Sequence, residues 1–372
     1  MYGHVRIGKE GMDIKMTKEE LTELNIGENL DALMNLDPRG YGVCRILYAG
    51  SRAYAGEPLA MKAAKQLVHT VKAGDFVYII TGFVLRPHKV PEMDGIVSSM
   101  LLARALVQAF DAKPVIICPE QNRRAVTKMA PVVGLHCYDD LEMVKDLPVS
   151  MGVISFTTDK AKAEEQAEKI MAERMPSTVI SIEAPGANAK GEYHNSLGLN
   201  VTELEAKTDI LFQKLKEKGV LNIAIGDLGN ETGMGAIAEH IKKYIPFTEE
   251  HQCQCECQGG ILAATSADYI ITATVSDWGC YAMMAALAYL KNDLDIFHKG
   301  EMEREVMRVA TRNGMIDMTG SLIPGLDGFN TQMNVNIVEL MRQCVGYARK
   351  YEGKSDHWFE AVLDKKFFDK EV

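Results

Sequence analysis

The chain has 372 residues, of which 47% are hydrophobic and 25% charged, and its formal net charge is −10. This length fits one large α/β domain or two ordinary domains, and the composition is typical of a globular protein. The negative charge argues against a nucleic-acid-binding surface, and no apolar run approaches the ~18 residues that a transmembrane helix needs.

The first thirty residues and the cysteines bear on the compartment. Those thirty residues are rich in charge and lack the apolar core of a signal peptide, so we expect a protein that is not exported. The eight cysteines are scattered, mostly within apolar runs, which favours reduced thiols over a disulfide framework. Both features predict a cytoplasmic location.

The first third of the chain is predicted to be mostly helical. Thr17, with Glu20 three residues later, is a plausible cap for the first helix. Between the first two helices, residues 39 to 54 are expected to form a polar, glycine-rich connection around a short apolar segment. The predicted elements are helices at 17–35, 58–72 and 96–110, and a buried strand at 76–80.

From residue 114 onward, predicted strands alternate with predicted helices. The strands are expected at 114–118, 152–156, 178–182, 221–225 and 269–275, and the helices at 121–130, 159–173, 201–218, 236–244, 279–290, 300–312 and 331–350. Such alternation implies right-handed βαβ units and a mainly parallel sheet. We therefore predict one three-layer α/β domain over residues 1–372, with helices on both faces of the sheet.

The segment from 226 to 235 carries four glycines and two carboxylates directly after an apolar run. This pattern is typical of a buried strand that opens into a loop at its carboxyl end, the edge at which open α/β sheets bind ligands. A plain phosphate-binding loop would not contain Asp227 and Glu231. Two carboxylates and the amide of Asn230 suit a hard divalent cation better.

Three other predicted strands also end in polar or acidic residues. One is followed by Thr81 and Gly82 and then by a loop that leads to Glu92 and Asp94. Another is followed by Glu183, and the last by Ser276. The carboxyl ends of parallel strands share one edge of a sheet, so four carboxylates are expected to converge there: Asp94, Glu183, Asp227 and Glu231. Like charges a few Å apart need a cation or raised pKa values, and oxygen ligands favour Mg²⁺ or Mn²⁺.

Cys253, Cys255 and Cys257 also look like metal ligands. In an extended segment their sulfurs would share a face but lie roughly 6.6 Å apart, which is too far for tetrahedral zinc with bonds of about 2.3 Å. We therefore expect no zinc there, unless a turn gathers the sulfurs with His251 as a fourth ligand.

Six ordered blocks of residues resemble the D-glutamate cyclase-like family. They are Thr81-Gly82-Phe83, Glu92-x-Asp94-Gly95, Ile182-Glu183-x-Pro185-Gly186, Tyr193-His194-Asn195, Gly226-Asp227-x-Gly229-Asn230-Glu231-x-Gly233-Met234-Gly235 and Val275-Ser276-x-Trp278-Gly279. The resemblance covers about residues 30 to 300, followed by the C-terminal helices at 300–350. It implies an α/β fold and conversion of D-glutamate to 5-oxo-D-proline with loss of water. Ala184 stands where the family commonly has an arginine.

The resemblance and the residues together suggest a hydro-lyase that cyclises glutamate or a related amino acid with help from Mn²⁺ or Mg²⁺. Glu183 and Asp227 would be catalytic, with His194 as the proton donor. The cation ligands would be Asp94, Glu183, Asp227 and Glu231. The residues expected to bind substrate are Thr81, Gly82, Asn195, Asn230, Gly233 and Ser276.

Two alternative functions stay open at this point. One is a Mg²⁺- or Mn²⁺-dependent phosphatase-like hydrolase, in which amides of the glycine-rich loop would bind phosphate. The other is a non-catalytic protein that binds a small ligand. In each case the expected partner is a small anionic molecule, an amino acid or a phosphate ester, with neither nucleic acid nor membrane. A homo-oligomer is also left open.

Overall fold

The structure is a computed structural model that describes residues 16–368. The expectation about a leader segment concerns residues 1 to 30, of which 1–15 lie outside the described residues. Across the described range, no helix combines the length and the apolar character needed to cross a bilayer.

A seven-stranded parallel sheet forms the centre of the molecule, with strand order β5-β6-β4-β1-β7-β8-β9. Two short antiparallel hairpins, β2–β3 and β10–β11, lie outside it. The strands are β1 (Phe76–Thr81), β2 (Val84–Leu85), β3 (Val90–Pro91), β4 (Lys113–Pro119), β5 (His136–Tyr138), β6 (Ser150–Phe156), β7 (Thr178–Ile182), β8 (Leu221–Gly226), β9 (Tyr269–Thr272), β10 (Gly325–Leu326) and β11 (Phe329–Asn330).

Helices cover both faces of this sheet. They are α1 (Lys18–Met34), α2 (Val43–Ala55), α3 (Leu59–Thr70), α4 (Ile96–Phe110), α5 (Glu120–Met129), α6 (Leu141–Asp146), α7 (Lys160–Glu173), α8 (Thr208–Glu217), α9 (Ala238–Tyr244), α10 (Ser276–Leu290), α11 (Gly300–Arg312), α12 (Thr331–Tyr351) and α13 (Asp356–Leu363). Successive side chains of a strand point to opposite faces, so Ile79 joins one apolar core and Tyr78 the other. The predicted three-layer α/β fold is confirmed.

Most predicted elements agree with the structure, including the first helix. The Thr17 hydroxyl accepts a hydrogen bond from the Glu20 N–H, and the Glu20 carboxylate accepts one from the Thr17 N–H. The predicted connection at 39–54 is wrong, because most of it is helix α2. That helix buries Cys44, Leu47 and Ser51, a helical spacing that its small and polar residues obscure.

Three further predictions need correction. The predicted helix at 201–218 begins only at Thr208, because residues 202–205 form turns and a bend. The predicted strand at 269–275 ends at Thr272. The short elements β5, α6 and α13 and both hairpins were not predicted, since runs of two to eight residues carry little periodicity.

The strand order determines where the site lies. Strands β1, β7, β8 and β9 are neighbours, and all of them run in the same direction. In the register of the sheet, Thr81 lies opposite Ile182, and Ile182 lies opposite Ile225. The loops that leave these strands therefore start side by side at one edge of the sheet.

Candidate active site

Three carboxylates from three separate loops meet at this edge. Glu183 directly follows β7, Asp227 directly follows β8, and Asp94 lies in the loop between β3 and α4. One oxygen of each lies within 4.8 Å of the others. Asp94 is buried, whereas Glu183 and Asp227 are half-buried, so the group is open to solvent on one side.

The backbone around Glu183 is unusual for a residue with a side chain. Its φ of 43° lies in the left-handed region, which costs roughly 1 kcal/mol or more. The Glu183 N–H donates to the Ile225 carbonyl (3.2 Å), and the Glu183 carbonyl accepts from the Gly82 N–H (3.1 Å). These two hydrogen bonds hold the strained backbone of Glu183 between the ends of β1 and β8, so the strands fix the direction in which its side chain leaves the backbone.

Gly95 brings the Asp94 loop into contact with Glu183. Its φ is 79°, and a Cβ at this position would lie 2.6 Å from the Glu183 Cβ and 2.8 Å from the Thr81 hydroxyl oxygen. Only a residue without a side chain permits this approach. The Thr81 hydroxyl is buried and has no hydrogen-bond partner among the described residues, and its predicted contact with substrate stays a prediction.

Burial, and then the charge of nearby carboxylates, raises the pKa of Asp94, Glu183 and Asp227 well above the usual range. Burial is the largest cause for each of the three groups. The next cause is a neighbouring negative charge, which is that of Asp277 for Asp94, that of Glu231 for Glu183 and that of Glu183 for Asp227. Each group is therefore easier to protonate than an ordinary carboxyl. A bound cation would remove the same repulsion.

The N-terminus of α10 partly offsets the negative charge. The Ser276 hydroxyl donates to the Glu183 carboxylate (2.5 Å), and the Asp277 N–H donates to the Asp94 carboxylate (3.2 Å). The helix dipole adds a partial positive charge at this end. Ser276, predicted to bind substrate, thus contacts the predicted catalytic Glu183.

Asp277 positions the loop that carries Asp94. Its carboxylate accepts hydrogen bonds from the Gly95 N–H and the Ser98 N–H, both at 2.6 Å, at the start of α4. Asp277 is fully buried and serves as the side-chain cap of α4, whose own N-cap residue, Gly95, has no side chain.

Arg39 brings a positive charge to the site that the sequence pattern did not indicate. Its guanidinium donates to the Asp327 carboxylate (2.5 Å) and to the Thr274 carbonyl (2.8 Å), and its charge acts to lower the pKa of Asp227. Arg39 precedes α2 and Asp327 lies in the β10–β11 hairpin, both far in sequence from the recognisable blocks.

Glu231 has a different role from the other predicted metal ligands. Its two oxygens accept hydrogen bonds from the N–H groups of Asp227 (3.0 Å), Leu228 (2.8 Å) and Gly229 (2.6 Å). A Cβ at Gly226 would lie 2.9 Å from the Glu231 carboxyl carbon. Glu231 therefore shapes the loop that presents Asp227, and the amides of this loop are occupied.

The other residues predicted to bind substrate mostly shape loops. The Asn195 side-chain oxygen accepts from the N–H groups of Leu197 and Leu199, and so closes a turn. Gly233 has a φ of 98° and packs against Ala224, where a Cβ would lie 2.3 Å away. Gly82, with a φ of 108°, donates to the Glu183 carbonyl. The Asn230 amide donates to the His194 carbonyl (3.0 Å).

The side chain of His194 faces sulfur atoms and not the three carboxylates. Its Nε2 lies 3.2 Å from the Cys255 sulfur, and its Nδ1 lies 3.5 Å from the Asn188 amide nitrogen. Of the two conformations considered for the cysteine segment, the structure has the turn, since residues 250–257 are mostly turns and bends. His251 is exposed and contacts Gln258, so it does not face the cysteine sulfurs.

Comparison with known proteins gives two matches. Residues 30–342 match the model of the family described as D-glutamate cyclase-like, C-terminal. A human relative, mitochondrial D-glutamate cyclase, is 28% identical over 274 residues, which are 70% of this chain and 38% of the relative. The chain thus spans less than half the length of that relative. The relative's name places it in mitochondria, and a cytoplasmic location for this chain stays a prediction.

Proposed function

The chain belongs to the D-glutamate cyclase-like, C-terminal family, and on this premise we propose that it cyclises glutamate, or a close relative of glutamate, to 5-oxoproline with loss of water. The observation that carries the proposal is the meeting of Asp94, Glu183 and Asp227 within 4.8 Å at the carboxyl edge of the sheet.

The reaction forms a bond between the α-nitrogen and the carbon of the γ-carboxyl group, and it breaks one bond from that carboxyl carbon to oxygen. The ammonium group loses two protons, and the departing oxygen gains both and leaves as water. A carboxyl group placed beside the reacting atoms can carry these protons, and such general acid–base catalysis is worth ~10²–10⁴-fold. Glu183 and Asp227 lie together at the site and are the groups to which we assign this task.

The two carboxylates differ in how they are held. Glu183 accepts a hydrogen bond from Ser276, which fixes its orientation. The Asp227 carboxylate makes no hydrogen bond to the described residues, so it is available to take protons from the substrate nitrogen. We assign Asp227 as the base, and Glu183 as the group that protonates the leaving oxygen.

The donor set fits a hard divalent cation. All three side chains offer oxygen, and burial together with the charge of neighbouring carboxylates raises the pKa of each, a condition that a bound cation relieves. Asp94, Glu183 and Asp227 would hold Mn²⁺ or Mg²⁺. When bound, the ion would supply Lewis acidity toward the γ-carboxylate, which is otherwise a poor electrophile.

Arg39 is the best candidate for binding the substrate α-carboxylate. Ala184 leaves no cation at the position where the family commonly has an arginine. The Arg39 charge acts on Asp227, and its buried Nε has no hydrogen-bond partner among the described residues. A guanidinium in this place suits a carboxylate ligand.

The phosphatase-like alternative loses its main support. It requires amides of the glycine-rich loop to bind phosphate, and three of those amides donate to Glu231. We therefore do not propose a phosphatase-like function. A protein that binds a small ligand without catalysis is one of the outcomes that the experiment below distinguishes.

The test is to incubate the full chain with D-glutamate or L-glutamate, with Mn²⁺, Mg²⁺ or a chelator, and to measure each enantiomer of 5-oxoproline by chiral chromatography. We expect product only with the cation, and a loss of at least ~10²-fold in Glu183→Gln and Asp227→Asn. The exposed Glu164→Gln is the control carboxyl substitution. Full turnover in both site variants would reject the assignment. Substrate-induced thermal stabilisation without product would favour a binding protein.

A further inference from the structure

A second group of metal-ligand side chains lies away from the three carboxylates. It consists of His194, Cys253, Cys255 and Cys257, which each offer one atom within 4.8 Å of the others. The cysteines lie in turns and bends between α9 and β9, and His194 lies in the loop between β7 and α8. These side chains and several hydrogen bonds thus join two segments that lie some sixty residues apart in sequence.

The distances within this group match a tetrahedral metal site. The sulfur–sulfur distances are 3.3 Å (Cys255–Cys257), 3.6 Å (Cys253–Cys257) and 3.7 Å (Cys253–Cys255). The His194 Nε2 lies 3.2 Å from the Cys255 sulfur and 3.6 Å from the Cys257 sulfur. Zinc bonds of about 2.3 Å to sulfur and 2.0 Å to nitrogen give ligand separations of about 3.8 Å and 3.6 Å.

Neighbouring donors stabilise the ligands as they do in known metal sites. The Gly259 N–H (3.3 Å) and the Asn188 amide (3.6 Å) donate to the Cys257 sulfur. The Asn200 amide lies 3.9 Å from the Cys255 sulfur. Asn188 also lies beside the His194 Nδ1, the ring nitrogen that does not face the sulfurs. Such outer hydrogen bonds orient the ligands and stabilise thiolates.

We propose that His194, Cys253, Cys255 and Cys257 bind one zinc ion in a closed structural site. Three thiolates and one imidazole are a common ligand set of structural zinc, and with four protein ligands no position is left for a substrate. The proposal does not depend on the proposed function. It gives His194 a structural role in place of the predicted proton donor.

The ion would clamp the loop around the cysteines onto the loop around His194. The Gln254 N–H already donates to the Gly198 carbonyl (2.8 Å), and its side chain donates to the Leu197 carbonyl. The clamp extends to the site, because Asn230, which lies between Asp227 and Glu231, donates to the His194 carbonyl. Zinc at this point would therefore steady the loop that presents Asp227.

The test is the zinc content of the full chain, purified without a metal-binding tag from cells supplied with zinc. We expect about one zinc per chain in the natural protein and at least a tenfold loss in Cys255→Ser. Two variants should keep their zinc: Cys344→Ser, a free cysteine on α12, and Asp227→Asn, at the carboxylate site. If Asp227→Asn loses the zinc and Cys255→Ser keeps it, the proposal is overturned.

Two measurements on the natural chain keep the proposal testable if Cys255→Ser does not fold. Replacement by Co²⁺ should give the ligand-field and charge-transfer bands of tetrahedral cobalt with thiolates. Removal of zinc by a chelator should speed hydrogen exchange in residues 188–200 and 249–260. A cobalt spectrum without thiolate bands, or a disulfide among the three cysteines in place of metal, would overturn the proposal.

Discussion

Asp227→Asn is expected to stabilise the metal-free protein while it abolishes activity. The change keeps the shape of the side chain, removes one negative charge and breaks no side-chain hydrogen bond to the described residues. The charge that it removes lies within 4.8 Å of Glu183 and Asp94. A residue that served only the fold would give the opposite result, a loss of stability.

The size of the effect follows from the separation of the charges. At 4.8 Å and an effective dielectric constant of ~20, two carboxylates repel by about 3.5 kcal/mol. Because burial and neighbouring charge raise the pKa of each group, ionisation of all three at once is disfavoured, and we expect the relief of about one such pair. For a chain of this length, 3 kcal/mol corresponds to about 4 °C in the unfolding temperature.

The increase in stability in Asp227→Asn should depend on pH, and the raised pKa of Asp227 determines the direction of that dependence. A carboxyl whose pKa is raised in the folded state binds protons more tightly there than in the unfolded state, so stability falls as pH rises from its unfolded pKa through its folded pKa. The gain in Asp227→Asn should therefore be largest at pH 8 and small at pH 4.5. Thermal unfolding in a chelator at both values measures it.

Added Mn²⁺ should reverse the order of stability. The natural chain gains stability by binding the ion, and Asp227→Asn has lost a ligand and gains less. A lower unfolding temperature for Asp227→Asn than for the natural chain, in chelator at pH 8, would contradict the proposed repulsion among the three carboxylates.

Three further predictions concern the backbone at the site, the start of α3 and the binding of substrate. Gly95→Ala should lower the free energy of unfolding in urea by about 2–4 kcal/mol and weaken Mn²⁺ binding, because its Cβ would lie 2.6 Å from that of Glu183. The matched control is Gly134→Ala, which has a similar φ of 78° but open space around it and should lower that free energy by only about 1–2 kcal/mol. Asp31→Ala should cost about 2–4 kcal/mol by the same measurement, because it leaves two N–H groups at the start of α3 without their acceptor. Arg39→Gln should raise KM for glutamate at least tenfold and change kcat less, as measured by steady-state kinetics.

The fold is largely readable from the sequence because its strands are short, continuous apolar runs. β1, β7 and β8 are buried on both faces, which makes each of them a local signal. Helix α2 gives no such signal, since its glycine, serine and tyrosines resemble a loop. Its Gly50 is needed for packing, because a Cβ there would lie 2.5 Å from the His240 ring.

The meeting of Asp94, Glu183 and Asp227 follows from topology, since each lies in a loop that begins at the same edge of a parallel sheet. Their roles stay predictions. The surroundings of Glu231 could not be predicted from the sequence. Whether its carboxylate faces a cation or its own loop depends on the conformation of the turn at 227–230, and in the structure it accepts hydrogen bonds from that loop. Arg39 was not predicted because a contact across 288 residues with Asp327 leaves no local pattern.

The cysteine segment shows the same limit. Alternate spacing separates sulfurs in a strand but brings them together in a turn, and the sequence does not specify which conformation occurs. The fourth side chain, His194, comes from a loop 61 residues from Cys255. Only the folded chain reveals this ligand set.

Anomalous diffraction from crystals of the full chain grown with Mn²⁺, recorded on both sides of the manganese edge, tests the central claim most directly. A manganese peak in contact with Asp94, Glu183 and Asp227 is the predicted result. Well-ordered density for the three side chains without such a peak would contradict a shared cation site at this edge of the sheet.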